Sequence, residues 1–183
     1  MTNFDIDKNI EKNQWLLEKQ LNWISNGDVK IGAIVTLNLA LLAGLGSYFN
    51  AKEPLLLLDI LYAITVIIII VSIYFCKLGF RPKFDPPNQS NIFFGTIAKN
   101  DLTTFVQSID NITKETYSED LSNQIYRNAK IASMKYEYLS KATSVFLVAS
   151  VFWIITLSIT LFTNKYSITQ KEPEKPTKIE LIK

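Results

Sequence analysis

A chain of 183 residues with 19 basic and 17 acidic side chains and no histidine lacks a clustered Lys/Arg footprint for nucleic acid, any imidazole base and any His-ligated metal site. The single cysteine, Cys76, excludes an internal disulfide and is read as a small apolar residue at the end of an apolar run. The 48% apolar content is gathered into three blocks separated by strongly polar sequence, so roughly a third of the chain is assigned to lipid and little is left for a separate catalytic domain.

The first residues, MTNFDIDKNIEKNQWLLEKQ, alternate in charge and lack a basic flank followed by a short apolar core, so no cleavable signal is expected. Ile6, Ile10, Leu17, Leu21 and Ile24 recur at the spacing that lines one face of a helix. Residues 1–30 are therefore read as an amphipathic cytosolic helix, with a break or bend expected at Asn26-Gly27.

The first span covers residues 31–49 and the second residues 55–76, whose only charged member is Asp59. Each is long enough to cross a hydrocarbon layer of about 30 Å at about 1.5 Å per residue. The five residues 50–54 between them allow only a tight turn, so 31–76 forms an antiparallel hairpin. Ala40 and Gly44 make a small-xxx-small pair that lets a neighbouring helix approach closely. Asn38 lies mid-span, where its amide must face another helix; a packing hydrogen bond and a place in a conduction path are both open. Asp59 stands about one turn into the second span, as a pore-mouth group or as a solvated structural residue.

Residues 77–142 are the polar stretch with the most chemistry. Pro82, Pro86 and Pro87 rule out a long helix between Gly79 and Gly95. Arg81 and Lys83, near backbone amides and the Ser90 hydroxyl, suit either an anion cradle or anchorage to lipid phosphates. Residues 91–108 read as one short helix with Ile97, Leu102, Phe105 and Val106 inward. Thr116 and Glu119 have the spacing of a capping box, so a long helix is expected to start there. It runs without Gly or Pro into a third apolar segment, residues 143–163, leaving 164–183 as a flexible tail. The fold class is all-α membrane protein: a two-span hairpin, a cytosolic helical region and a third long helix running into the membrane. Lys30, Lys77, Arg81 and Lys83 flank the open end of the hairpin, which puts the N-terminus and the central region in the cytoplasm.

No P-loop, dinucleotide fingerprint or metal-ligand spacing occurs, and Gly44-Leu-Gly46 sits inside a span, so no enzymatic activity, metal or cofactor is expected. Asp28 and Lys30 before the first span, Asn38 within it, Arg81-Pro-Lys-Phe84 after the second, Ser90-x-Ile-Phe-Phe-Gly-x-Ile97, and Gln124-Ile-Tyr126 with Ile131 and Lys135 before the third resemble the Pycsar transmembrane effector family.

The resemblance implies a bacterial antiphage effector of the inner membrane. A companion pyrimidine nucleotide cyclase would make cyclic CMP or cyclic UMP on infection, and the effector would respond by oligomerising and disrupting the bilayer. It implies a ligand site drawn from Arg81, Lys83, Ser90, Asn91, Phe93 and Gly95, with Gln124 and Lys135 on the coupling helix. Partners are then the lipid bilayer, the cyclic nucleotide and further copies of the chain, with no nucleic acid. The alternative is a non-enzymatic membrane adaptor that recruits a soluble partner through its cytosolic helices.

Overall fold

The computed structural model describes residues 3–49, 55–81 and 90–170. The hairpin turn 50–54, the proline-rich stretch 82–89 with Lys83, and residues 171–183 lie outside them. Five helices follow in order: α1 (Asn3–Phe49), α2 (Leu56–Phe80), α3 (Phe94–Ile97), α4 (Leu102–Asp110) and α5 (Lys114–Gln170). Among the described residues there is no strand. α1, α2 and α5 are each long and apolar enough to cross a membrane.

With 47 residues in α1 and 57 in α5, the two longest helices extend about 70 and 85 Å. They run parallel and in register. The Asn13 amide donates to the Ser122 hydroxyl at 3.1 Å, Lys135 meets Asp28, and the Trp153 indole donates to the Leu41 carbonyl at 2.9 Å. α2 is antiparallel to both, since Tyr62 reaches Thr160 while Ser72 reaches Ala142. The molecule thus has a polar half, where α1 and α5 pair alone beneath the short helices, and an apolar half, where α2 joins them.

The expected break at Asn26-Gly27 is absent, and α1 is continuous through it. Gly27 is buried against α5, where a Cβ would make only ordinary contact, 3.6 Å from the Tyr136 ring and 3.8 Å from the Lys135 Cβ. Residues 91–108 are likewise two helices rather than one. Asp101 adopts an extended N-cap conformation and accepts from the Thr104 amide at 2.8 Å, which starts α4 afresh. Leu102 and Val106, expected to face inward, are exposed. α5 begins ahead of the expected capping box, because the Thr113 hydroxyl accepts from the Thr116 amide at 3.2 Å. It also continues to Gln170, past residue 163.

In lipid the hydrophobic effect no longer drives helices together, and packing and hydrogen bonds take over. The apolar half shows that division in its residues. One cluster of buried side chains joins Leu45, Tyr62, Ile69, Ala149 and Leu157, and a second joins Ile31, Cys76, Leu139 and Ala142. Through them runs a polar seam. Asn38, fully buried, donates to Ser72 Oγ at 2.9 Å, and Ser72 donates to the Ala142 carbonyl at 3.0 Å. Further along, the Thr65 and Thr156 hydroxyls meet at 3.1 Å and those of Tyr62 and Thr160 at 3.3 Å.

Candidate functional site

A cavity of about 600 Å³ lies between α1, α5 and the loop ahead of α3. Its α1 wall is Leu17, Leu21, Ile24 and Asp28, and its α5 wall is Gln124, Arg127, Asn128, Ile131 and Lys135. Both sets recur at three- and four-residue steps over the same length, as two facing helix stripes must. Phe80 from the end of α2 and Ile92, Phe93 and Phe94 from the loop complete it. The volume is in the usual range for a small-molecule site, and a mostly apolar wall with a few convergent polar groups is the usual lining.

The loop is fixed to α5 by one serine. Ser90 Oγ donates to Asp120 at 3.0 Å and accepts from the Gln124 amide at 3.1 Å and from the Phe93 backbone N–H at 3.0 Å. The Asn91 N–H also donates to Asp120, at 2.9 Å, while its side-chain oxygen accepts from Ser108 at 3.0 Å. Gly95 leaves room for the Phe93 ring, from which a Cβ at that position would stand only 2.6 Å away. The ring is thereby folded over the loop and under Arg127, whose guanidinium carbon sits 5.1 Å from its centroid. Arg127 Nη1 is buried and has no hydrogen-bond partner among the described residues.

At the end of the cavity nearer the apolar half, Lys135 is almost fully enclosed and joins all three long helices. It forms an ion pair with Asp28 of α1 and donates to the Gly79 carbonyl of α2 at 3.2 Å. The Asp28 side chain is 40% exposed, so the pair is wetted on one side.

The residues expected to bind a ligand are thus divided. Phe93 lines the cavity and Gly95 positions it, while Ser90 and Asn91 use their polar atoms to hold the loop against a carboxylate. Arg81 is exposed and outside the lining, in the extended conformation that a following proline imposes. Lys83 lies outside the described residues. Gln124 and Lys135 both reach the cavity. Arg127 and Asn128 are additions that sequence reasoning does not single out; three and four residues after Gln124, they stand on the same stripe.

In the apolar half, Asn38 is a packing residue that links α1 to α2, with its Oδ1 buried and unpartnered among the described residues. Gly44 receives the Trp153 ring, to which a Cβ would come within 2.9 Å, whereas Ala40 is exposed. Asp59 is exposed and lines a second groove with Leu45, Phe49 and Tyr62, near the end of α1 and the start of α2.

Three apolar helices of spanning length, two of them prolonged into a polar half that encloses a charged cavity, define a helical membrane protein with a ligand-sized site beside its spans. The Pycsar effector protein domain family matches residues 13–162, and the chain belongs to that family. Its membership places it among antiphage defence effectors. The chain is similar to the Pycsar effector protein GmPycTM of Gulbenkiania mobilis, at 26% identity over 176 residues, covering 80% of this chain and 90% of the relative. No solved structure matches it.

Proposed function

We propose that the chain is a non-enzymatic effector of the bacterial inner membrane that binds a cyclic pyrimidine mononucleotide, oligomerises and breaches the bilayer, halting an infected cell. The observation that carries this reading is the position of the cavity. It is walled by the same two helices that continue into the apolar half, with no linker between site and span. Its size suits one mononucleotide, the Phe93 and Phe80 rings suit stacking on a base, and the Asn128 amide suits a base edge.

In this reading the polar half faces the cytoplasm, where a companion cyclase releases the ligand, in keeping with Lys30, Lys77 and Arg81 at one end of the spans. A ligand moves the helices only by binding one arrangement better than another. Wedged between α1 and α5, it would favour a wider spacing of the pair, carried by Gln124 and Lys135 along α5. Faces bearing residues such as Ala40, left outward in the single chain, are then available to further copies.

The test is reconstitution of the full chain into dye-loaded liposomes of bacterial lipid. Cyclic CMP or cyclic UMP should release dye while cyclic AMP at the same concentration does not. A membrane that stays sealed under all three, with a soluble bacterial protein bound stoichiometrically, would make the chain an adaptor instead. Arg81→Ala is the matched control and should leave release unchanged, because Arg81 is outside the cavity wall.

A further inference from the structure

The cavity wall holds two cations, Arg127 and Lys135, and one carboxylate, Asp28. Asp28 is committed to Lys135, which also has the Gly79 carbonyl. The charge left unbalanced in the lining is that of Arg127. Phe93 supports its guanidinium through the ring face, which supplies attraction but no acceptor, and Nη1 remains buried without a hydrogen bond. A buried donor is ordinarily paired. Arg127 is part of the cavity wall, and a turn of its guanidinium toward the open space would give the buried N–H an acceptor that arrives from outside.

We propose that Arg127 is the phosphate-reading residue of this site and that the charge of the wall selects a phosphodiester monoanion over a phosphate dianion. The inference rests on the cavity being the ligand site described above. A guanidinium offers two parallel N–H donors to two oxygens of one phosphate, which a lysine cannot. A cyclic nucleotide carries one negative charge, whereas a linear nucleotide monophosphate carries close to two at neutral pH because its second ionisation lies near pH 6. One unbalanced positive charge matches the first. The second brings an excess negative charge toward Asp28 in the same wall.

A phosphodiester monoanion has two sources here, a free cyclic nucleotide and a lipid headgroup such as phosphatidylglycerol. Lys135 and Asp28 lie only a few residues before the apolar half, with Asp28 three residues ahead of the buried Ile31, so the headgroup is within reach of the site.

Calorimetric titration of the detergent-solubilised full chain separates these. Cyclic CMP or cyclic UMP should bind the wild type, and the matching linear 5′-monophosphate should bind at least about tenfold more weakly. Arg127→Gln should weaken cyclic nucleotide binding about tenfold or more, and Arg127→Lys, which keeps the charge but loses the fork, by less. Short-chain phosphatidylglycerol should not compete. If the linear monophosphate binds the wild type as tightly as the cyclic one, the charge selection is overturned without recourse to any variant. If Arg127→Gln keeps the wild-type melting temperature and the wild-type Kd, Arg127 is not the phosphate reader. If no cyclic nucleotide binds but phosphatidylglycerol does, in an Arg127-dependent way, the anion site stands and the nucleotide-effector reading falls. If neither phosphate binds the wild type, the inference itself is overturned.

Discussion

The two halves of the α1–α5 pair are built from the same two helices and packed differently. In the apolar half the helices approach closely enough for Trp153 to sit on Gly44, and polar side chains bond one another across the interior, from Asn38 through Ser72 to Ala142 and from Thr65 to Thr156. In the polar half the same pair encloses a cavity, keeps a cation without a hydrogen-bond partner at one atom, and is closed at one end by a single ion pair. The difference follows from the solvent. Where lipid surrounds the helices, close packing and internal hydrogen bonds are what holds them. Where water does, polar contacts such as Asn13 to Ser122 and Asp28 to Lys135 join the pair, and a gap lined by Leu17, Leu21 and Ile24 is tolerated.

The sharpest way to break the comparison is to remove the ion pair at the boundary. Asp28→Ala leaves a lysine that is 6% exposed facing one carbonyl, and should lower stability by about 3 kcal/mol, at the low end for a buried pair because the carboxylate is 40% exposed. Thermal unfolding in detergent checks this, and a loss no larger than that of an exposed pair would show that the boundary does not close the cavity. Next in size is Gly44→Val. Its Cβ alone would lie 2.9 Å from the Trp153 ring, so the ring must shift or α1 and α5 separate locally, at a cost of about 2 kcal/mol. The melting temperature should fall, and under the proposed coupling along α1 and α5 ligand affinity in the polar half should change with it; an unchanged affinity would mean that the halves are independent.

Smaller still is Asn38→Leu. It removes the bond to Ser72 but also a buried, unpartnered Oδ1, so the change should stay within about 1 kcal/mol. A variant that folds normally yet no longer releases dye would move Asn38 from packing to conduction. The smallest effect belongs to α4. Its N-cap, Asp101, accepts from the Thr104 amide and hydroxyl, which hold the carboxyl below the usual carboxylate range. Because the folded-state value is the lower one, the contribution is present at neutral pH and disappears as pH falls through it. Amide exchange in residues 102–110 should therefore speed up on acidification relative to α5, and an unchanged ratio would remove Asp101 as the cap.

The spans and the rod into the third are legible in the sequence because they depend on composition: 22 residues with one charge, or a long run without Gly or Pro, have few other uses. Starts and breaks are less so. Asn26-Gly27 carries the local signature of a bend, yet the helix runs through it with Gly27 buried against α5. Thr113 and Thr116 compete for one cap, and local sequence alone does not rank them. For the site, prolines and cations in one loop suggest a cradle and direct attention to Arg81 and Lys83. Of the two cations in the cavity wall, Lys135 is among the residues that carry the family resemblance, whereas Arg127 sits between Gln124 and Ile131, where its place on the inward stripe is the available signal.

The parallel register of α1 and α5 also governs when the molecule can exist at all during synthesis. Residues that meet across the pair are separated by more than a hundred positions in the chain, as Asn13 and Ser122 are. A ribosome adds residues from the N-terminus at about 5–20 per second, so α1 and α2 are complete well before their partner is made. Until then the cavity lacks its Arg127 wall and the seam lacks Thr156 and Thr160. A truncated or stalled chain carries apolar spans but neither the two-walled cavity nor the completed seam until the last helix is in place.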